Sequence, residues 1–515
     1  MRVLFVYSVW PFHTPEKPLF RYDQIQFGIA YISSLLKQYG HEIKLFVVTE
    51  PINTEMIDAQ ISGYQPKILC FTAMVTEYDF LSHVAQYVRS QYPDIFLLIG
   101  GVHVSLVPEE SMLNIFDALC IGEGEYPTLE LVEQLSRGEK PSGIANLWIN
   151  NNGIIEKNPT RPFLQDLDSL PFPDRDMWLD WIDLPPDASI ESTRVIVLVG
   201  RGCPFLCSYC CNHALRKLSA GPYVRMRSPA NIVAELETIV RRFPETLEIF
   251  LEVETFGANI NWALQVCSAL ETFNTKHHFR FCFGVNLRVT SNGQYEPLFK
   301  AMKRCGFRYI NIGLESGSER IRREVLNRNE SNDDIIRAVE LVRACGLEVT
   351  FYNMMGVPGE TFEDFLETVK MNHLCRPESK SLPISIFFPY PGTKLYDLCK
   401  AQGLLQQQLD IKHERIQAVL DLPGFSMAEQ EKAFKWADDF DLDGNVSVHA
   451  ILRRRFPGFY QNFAQHTIVF TIFQKLVRML PAIPGKELLT PSYLLIILKK
   501  LCDTVVYYHQ KLTRR

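Results

Sequence analysis

The stretch GRGCPFLCSYC, residues 200–210, places Cys203, Cys207 and Cys210 in a C-x3-C-x2-C spacing. Iron–sulfur clusters are held by thiolates on short loops, and the glycines and proline beside these cysteines indicate such a loop. Four irons held by three thiolates leave one iron open, and an open coordination position is the mark of a catalytic metal. The alternative is that the three are structural cysteines buried in a core. The close spacing favours a [4Fe-4S] site.

With Tyr209 just before the last cysteine, this stretch resembles the signature of radical S-adenosylmethionine (SAM) enzymes. The resemblance implies that SAM chelates the open iron through its amino and carboxylate groups. It also implies that one electron from the cluster cleaves the SAM sulfonium to a 5'-deoxyadenosyl radical. Cys211 falls outside the signature and is interpreted as a neighbour, because a fourth thiolate ligand would close the iron that the chemistry needs open.

Three later turns resemble motifs of the same family, in the family's order. GLESGS at 313–318 resembles the fourth-strand motif that contacts SAM, GVPGET at 356–361 the fifth-strand turn that pairs with adenine, and PYPGT at 389–393 the turn after the last strand. Turns of glycine and proline are common, so each match is weak alone. The resemblance assigns SAM contacts to these residues of the signature and the first two turns: Tyr209, Glu315, Ser316, Gly317, Gly356, Pro358 and Gly359.

Two charged residues follow the second and third strands of the same region. Glu254, in LEVETF at 251–256, is the candidate for binding the SAM amino group, although paired aspartates are expected there in close relatives. Arg288 is placed to pair with a carboxylate. An exposed strand-end carboxylate and an ordinary surface salt bridge are the alternatives for these two residues.

The chain around these motifs alternates between apolar runs and helical spacing, which is typical of barrels whose catalytic groups lie on loops after the strands. We predict a partial (β/α)6 TIM-like barrel over residues 191–395. After about residue 400 the alternation stops, and we predict a mostly helical domain over 396–515. The predicted barrel strands are 195–199, 248–253, 280–285, 309–313, 348–354 and 383–388.

A second alternating series at the N-terminus predicts a doubly wound parallel sheet over residues 1–150, with ligands at the carboxyl ends of its strands. A helix is expected at 27–39. The proline-rich segment 151–190 is predicted to be an extended surface linker. The predicted strands are 2–8, 42–48, 68–72, 95–99 and 118–121.

The strand ends of this domain lack G-x-G-x-x-G after the first strand, which disfavours a dinucleotide site. The order GGVH at 100–103 and GEGE at 122–125 instead resembles the cobalamin-binding domain that precedes the barrel in one large class of radical SAM enzymes. The resemblance places His103 near the lower base of cobalamin. It assigns cobalamin contacts to these strand-end residues: Thr72, Gly100, Gly101, His103, Gly122, Glu123, Gly124 and Glu125.

Many cobalamin proteins carry D-x-H-x-x-G after the first strand, with a histidine that ligates cobalt. This sequence lacks the motif, since His13 has no aspartate two residues before it. We therefore expect cobalamin bound without a histidine ligand.

Composition narrows the class further. The 515 residues carry a net charge of -6, so a basic nucleic-acid-binding domain is not expected. The odd total of 13 cysteines and a start without a secretory signal favour a reduced cytoplasm.

The C-terminal 65 residues differ from the rest in charge, with eleven Lys and Arg against two Asp and Glu. The runs 467–480 and 491–508 are apolar with interspersed basic residues, whereas a membrane-spanning helix is not expected. Basic amphipathic helices either pack on the protein or lie at an anionic membrane surface. Both remain open, so a cytoplasmic enzyme with peripheral membrane contact is one expectation.

Together these features predict a radical SAM enzyme that uses cobalamin to transfer a methyl group to an unactivated carbon of a small-molecule or lipid-like substrate. Such chemistry would consume two SAM molecules per turnover and needs an external one-electron reductant. Cobalamin-dependent radical cyclisation or oxidation is the alternative within the class. A radical enzyme without cobalamin, or a cluster-bearing electron-transfer or binding protein, would keep the fold. No residue is assigned as a catalytic acid, base or nucleophile. The motifs indicate the class of enzyme but do not identify its substrate.

Overall fold

The computed structural model describes most of the chain up to residue 454. The described residues are 1–9, 14–111, 115–184, 193–291, 293–378, 382–405, 411, 414–441, 443, 445–447, 450–451, 454 and 482–484.

Seven strands form the N-terminal sheet: β1 (Arg2–Ser8), β2 (Glu42–Val48), β3 (Ile68–Thr72), β4 (Phe96–Gly100), β5 (Ala118–Cys120), β6 (Leu147–Asn151) and β7 (Ile154–Lys157). Their order is β2-β1-β3-β4-β5-β6-β7, and the first five pair in parallel. These five read as near-continuous apolar runs, as buried parallel strands do. The predicted parallel sheet is confirmed, but the antiparallel hairpin β6–β7 makes the whole sheet mixed.

Helices follow the parallel strands: α1 (Phe27–Gln38), α2 (Thr54–Tyr64), α3 (Val75–Gln91), α4 (Val102–Leu106), α5 (Pro108–Ser111) and α6 (Glu125–Ser136). Side-chain caps set two of the helix starts. The Gln26 side chain accepts the Ile29 N–H at 2.7 Å, and Asn53 accepts the Met56 N–H at 3.0 Å. Such caps satisfy amides that have no partner inside the helix.

The segment predicted as a surface linker packs into the N-terminal core. It contains α7 (Asp176–Leu179), where Trp178 is fully buried. Trp181 packs against Phe46 with ring centroids 5.8 Å apart. The prolines keep this chain extended, but its tryptophans carry too much apolar surface to remain exposed.

The second half of the chain begins with strands β8 (Val195–Leu198), β9 (Gly200–Arg201), β10 (Arg225–Met226), β11 (Glu248–Glu252), β12 (Cys282–Leu287), β13 (Phe307–Glu315), β14 (Glu348–Met355) and β15 (Ile384–Ile386). Six of them form a parallel sheet in the order β8-β11-β12-β13-β14-β15, while β9 and β10 form a separate antiparallel pair. The six predicted barrel strands are confirmed. No pairing of β8 with β15 closes the described sheet, so the barrel is partial, as predicted.

The barrel helices are α8 (Asn212–Leu215), α9 (Pro229–Arg242), α10 (Ile260–Lys276), α11 (Glu296–Cys305), α12 (Asn332–Ala344), α13 (Phe362–Cys375) and α14 (Lys394–Ala401). Ile249, Leu251 and Val253 of the second barrel strand pack in one core with apolar residues of α9 and α10. Because strand side chains alternate between faces, Phe250 and Glu252 point to the opposite, concave face.

The C-terminal region contributes α15 (Met427–Trp436) and the short antiparallel pair β16 (Asn445–Val446) and β17 (Ile483–Pro484). No helix within the described residues is long and apolar enough to cross a membrane. Of the basic tail, Arg454 pairs with Asp439 and lies over the Trp436 ring. The two predicted tail helices fall outside the described residues.

Candidate active site

The cysteine loop is held between the two short strands β9 and β10. Arg201 pairs with Arg225 across this hairpin, so residues 202–224 form one closed loop. Gly202 adopts φ +83°, and a Cβ there would lie 2.2 Å from the Tyr223 carbonyl oxygen. Only glycine lets the two arms of the loop approach this closely.

Hydrogen-bond donors reach the sulfurs of two of the three predicted cluster ligands. The Arg288 guanidinium donates to Cys207 Sγ at 3.0 Å, and the Asn212 N–H and side-chain amide donate to Cys210 Sγ at 3.5 and 3.4 Å. Cluster thiolates accept such bonds, which tune reduction potential. A [4Fe-4S] cluster therefore fits the loop. The described residues contain no group of three side chains that converges on a single metal ion, but a cluster takes its thiolates on separate irons.

Cys211 lies in this loop, directly before α8. A hydrogen bond from Cys211 lowers the pKa of Cys210, and the same contact raises the pKa of Cys211. The exclusion of Cys211 from the ligand set stays a prediction.

A buried charge network, which the sequence did not predict, supports the loop. Arg328 donates to Tyr209 Oη at 3.2 Å, to Glu315 Oε1 at 3.3 Å and to Glu330 Oε1 at 2.6 Å. Glu330 also pairs with Arg288 at 3.3 Å. Because every charge has a partner, burial of this network does not leave an isolated ion. We name these five residues the mouth network.

The mouth network contains three of the predicted SAM contacts, namely Tyr209, Glu315 and Arg288. Burial raises the pKa of the Glu315 carboxyl, although Arg328 opposes this. The Arg288 guanidinium also stacks 4.0 Å over the Phe205 ring in the cysteine loop. Arg288 thus contacts the cysteine loop and does not form an ordinary surface salt bridge.

Three further predicted SAM contacts, Glu254, Ser316 and Gly317, differ in exposure and packing. Glu254 is exposed, and its charge acts on both Cys203 and Cys210. Ser316 is buried near Thr368, and the Gly317 N–H donates to Thr368 Oγ1 at 2.8 Å, so both pack against α13. Among these three, Glu254 has the most direct access to a ligand at the cluster.

The fifth-strand turn is fixed from within. The Gly356 and Val357 N–H groups both donate to the buried Glu360 carboxylate. Burial raises the pKa of Glu360 to about 8. Pro358 is buried and Gly359 is exposed at the tip of the turn. The assignment of these backbone positions to SAM stays a prediction.

The predicted cobalamin contacts line the carboxyl edge of the N-terminal sheet. Gly101 adopts φ +102°, and a Cβ there would lie 2.5 Å from the Ala73 carbonyl oxygen and 3.0 Å from Thr72 Oγ1. Ser105 donates to the Gly101 carbonyl oxygen at 2.8 Å and accepts the Gly122 N–H at 2.9 Å. The glycines let the strand ends pack on each other. Ser105, absent from our prediction, links the two glycine turns. We call this edge, with Gly101, Ser105 and Gly122, the cradle.

His103 lies on α4 at the same edge, and its ring packs on Tyr78 with centroids 4.5 Å apart. Burial lowers the pKa of His103 and favours the neutral ring. His13 lies outside the described residues. A cradle of backbone turns beside a neutral histidine fits a large flat cofactor, which needs close approach and few charges.

Glu123 and Glu125 differ from the cofactor contacts that the sequence suggested, because their carboxylates bind the barrel. Arg201 pairs with Glu123 at 3.0 Å and with Glu125 at 2.6 Å, and Arg225 pairs with Glu123 at 2.8 Å. The Leu164 N–H also donates to Glu123 at 2.9 Å. Although burial alone would raise it, the two arginines hold the pKa of Glu123 below its usual value. We call these four charged residues the latch.

The latch brings the two carboxyl edges together, since Arg201 and Arg225 belong to the hairpin that carries the cysteine loop. Two further contacts join the same edges. α4 contacts α8, and Gly392 in the PYPGT turn lies so close that a Cβ would be 2.9 Å from Leu106 Cβ. The cradle thus faces the cysteine loop across the domain boundary.

Two family models match the chain in the order predicted. A B12 binding domain matches residues 19–132, and the Radical SAM superfamily matches residues 197–371. The first match supports cobalamin as a cofactor, and the second implies a [4Fe-4S] cluster and SAM.

The chain is also similar to individual proteins. It is 28% identical over 437 residues to the uncharacterized methyltransferase PH0819 of Pyrococcus horikoshii, an alignment that covers 80% of this chain and 86% of that protein. It is 24% identical to the anaerobic magnesium-protoporphyrin IX monomethyl ester cyclase of Rubrivivax gelatinosus, covering 72% and 65%. The structure of the cobalamin-dependent radical enzyme OxsB with aqua-cobalamin and SAM bound shares the fold, with a TM-score of 0.68, 15% identity and coverage of 99% and 81%.

Proposed function

Because the chain belongs to the radical SAM enzymes with a B12-binding domain, we propose that it transfers a methyl group to an unactivated carbon of a small molecule. The observation that carries this proposal is the latch. It holds the cobalamin cradle against the loop of Cys203, Cys207 and Cys210, so that one substrate can reach both cofactors.

When bound, the cluster and SAM supply a radical that removes a hydrogen atom, and cobalamin supplies a methyl carrier. The chain's own residues do the positioning. Cys203, Cys207 and Cys210 would hold three irons, while Arg288 and Asn212 donate to two of the sulfurs. Arg328 fixes Tyr209 of this loop and Glu315 of the neighbouring strand end, and Glu254 would offer a carboxylate to the SAM amino group.

The cradle residues hold the second cofactor by shape. Gly101, Gly122 and Ser105 fix the backbone of two strand ends, and the neutral His103 ring lies on Tyr78. Since the pKa of His103 is lowered, its side chain carries no charge at neutral pH.

Radical cyclisation or oxidation is the second candidate. The relationship to the cyclase of Rubrivivax gelatinosus supports it, and the same two cofactor sites would serve it. The relationship to the methyltransferase of Pyrococcus horikoshii covers more of both chains and favours methyl transfer.

Anaerobic reconstitution with iron, sulfide, hydroxocobalamin and methyl-deuterated SAM distinguishes the two candidates. Under a strong one-electron reductant, methyl transfer predicts 5'-deoxyadenosine together with the deuterated methyl group on the corrinoid. A cyclase predicts 5'-deoxyadenosine with no label on the corrinoid. Protein that carries the cluster and releases no 5'-deoxyadenosine contradicts both.

A further inference from the structure

The exposed side chain of Tyr352 marks uncovered space on the concave face of the partial barrel, which we call the chamber. Tyr352 lies in the middle of β14 with a hydrogen-bonded strand on each side, yet its side chain is 49% exposed. A side chain on a central strand can be this exposed only where other side chains do not cover that face of the sheet. The chamber therefore has room for a ligand below the mouth network.

A polar layer lines this chamber at one level of the sheet. Asn311 donates to Asn286 at 3.2 Å and to the Tyr352 hydroxyl at 3.0 Å, and Thr350 bonds to Asn311. Asn286, Asn311 and Thr350 occupy paired positions on adjacent strands. These side chains hold one another in place.

Glu252 extends the same layer on β11. It follows Leu251, which pairs with Val285, so Glu252 and Asn286 are neighbours across the strands. Among the described residues, the Glu252 carboxylate has no hydrogen-bond or ion-pair partner. Burial and the charge of Glu254 raise the pKa of Glu252 to about 7, although Arg194 opposes this. Carboxylates in such surroundings normally have a partner.

The chamber floor contains the nearest cation, but that cation is engaged elsewhere. Arg194 pairs with Asp23 at 2.6 Å and with Glu248 at 3.5 Å. Tyr309 donates to Glu248 at 2.8 Å and stacks on Phe250. Phe250 and Tyr309 are both buried. Arg194 lowers the pKa of Glu252, but it makes its ion pairs with Asp23 and Glu248.

We propose that Glu252 binds a protonated amine, and that the substrate is a small organic cation. This inference rests on the proposed function, since it assigns the amine to the substrate of that site. The Glu252 carboxylate would supply the charge, while the Asn311 layer would set the orientation. A lipid-like substrate without a cation does not satisfy Glu252.

Three probes of similar size test the proposal: 2-phenylethylammonium, 2-phenylethanol and 3-phenylpropanoate. Their dissociation constants are measured by calorimetry on full-length protein reconstituted with cluster, corrinoid and SAM. We expect the ammonium to bind at least about tenfold more tightly than the alcohol, and the carboxylate to bind most weakly. Glu252→Gln, which keeps the side-chain shape, should bring ammonium and alcohol to within about twofold.

Glu252→Lys should invert the preference so that 3-phenylpropanoate binds more tightly than the ammonium. The matched control is Glu296→Gln, which removes an equal charge from the outer surface of α11 and should leave the order unchanged. Equal binding of the probes to wild type, binding of none of them, or an ammonium preference that survives Glu252→Gln would overturn the proposal.

The labelled SAM experiment is run on the same samples without probe. Deuterium on the corrinoid without an ammonium preference would count against this inference alone. An ammonium preference without 5'-deoxyadenosine would count against the proposed function.

Discussion

The cradle and the mouth network face each other but differ in the chemical groups that form them. The cradle consists of backbone turns, where Gly101 packs on Ala73 and Ser105 bonds to two main-chain groups. The mouth network consists of charged side chains, with Arg328 bonded to Glu315 and Glu330. From this difference we expect the two cofactors to be recognised differently, by shape on one side and by charge on the other.

The largest effect should come from removing cluster thiolates. Cys203→Ala, Cys207→Ala or Cys210→Ala should abolish 5'-deoxyadenosine release and remove most of the iron, because two thiolates hold a cluster poorly. Corrinoid uptake should persist, since the cradle does not use these residues. Iron content, chromatography and corrinoid absorbance measure the three properties.

Cys211→Ala is the matched control and should retain both iron and SAM cleavage. Loss of cleavage in Cys211→Ala with retention in Cys210→Ala would reverse the assignment of ligands. Loss of corrinoid from every cysteine variant would instead show that the two regions do not bind independently.

The variant Gly101→Val tests the opposite case, in which the corrinoid is lost and SAM cleavage remains. Its side chain would collide with the Ala73 backbone at a positive φ, so we expect loss of corrinoid uptake with SAM cleavage still measurable. Gly153→Ala is the control, because Gly153 has φ +89° with nothing within 4 Å of a Cβ. That variant should cost about 1 kcal/mol of unfolding free energy and keep the corrinoid. Corrinoid binding by Gly101→Val at wild-type affinity would disprove the cradle assignment.

The sequence predicted the two regions unequally for physical reasons. Cys203, Cys207 and Cys210 lie within one loop, so their spacing shows their common role. Arg328 bonds to Tyr209, which is more than a hundred residues away, and no local pattern marks such a contact. Strand periodicity located all six barrel strands, whereas the buried side of the proline-rich segment depends on Trp178 and Trp181 meeting a distant core.

The GEGE motif is a second example of a role that one sequence does not reveal. The sequence located the turn at the end of β5 correctly, but it did not reveal that Glu123 and Glu125 point toward arginines of another domain. An acidic residue beside a cofactor and an acidic residue in a domain contact look alike in one sequence.

The latch offers an intermediate test of how the two regions are held together. Glu123→Gln leaves Arg201 and Arg225 short of a partner and should lower the unfolding free energy by about 1 to 3 kcal/mol. This is less than for a fully buried pair, because the Glu123 side chain keeps 21% exposure. Since the pKa of Glu123 is below its usual value, the effect should be full at neutral pH and disappear as pH falls through the folded-state pKa.

Chemical denaturation of Glu123→Gln beside Glu139→Gln makes this comparison. Glu139 pairs with Arg137 on the exposed surface, and its loss should change stability little. Equal stability of both variants and wild type would mean that the latch does not hold the domains.

The smallest effect on either region is expected from the basic tail. Replacing Arg453, Arg455, Lys499 and Lys500 with Gln should weaken binding to anionic liposomes by up to about a thousandfold at low salt, because each basic residue gains on the order of 1 kcal/mol near such a surface. Arg454 is kept because it pairs with Asp439. Equal flotation of variant and wild type would indicate helices that pack on the protein, and SAM cleavage should not change in either case.

The central claim is that SAM is cleaved at the cysteine loop and its mouth network, while the corrinoid in the facing cradle receives a methyl group from SAM. Its most direct test is one anaerobic sample of wild-type protein, loaded with cluster and hydroxocobalamin and given methyl-deuterated SAM and dithionite. We predict 5'-deoxyadenosine in solution and the deuterated methyl group on the protein-bound corrinoid. Cys207→Ala should lose 5'-deoxyadenosine, and Gly101→Val should lose the corrinoid label while it still releases 5'-deoxyadenosine. Fully loaded wild-type protein that yields 5'-deoxyadenosine but leaves the corrinoid unlabelled would contradict the account.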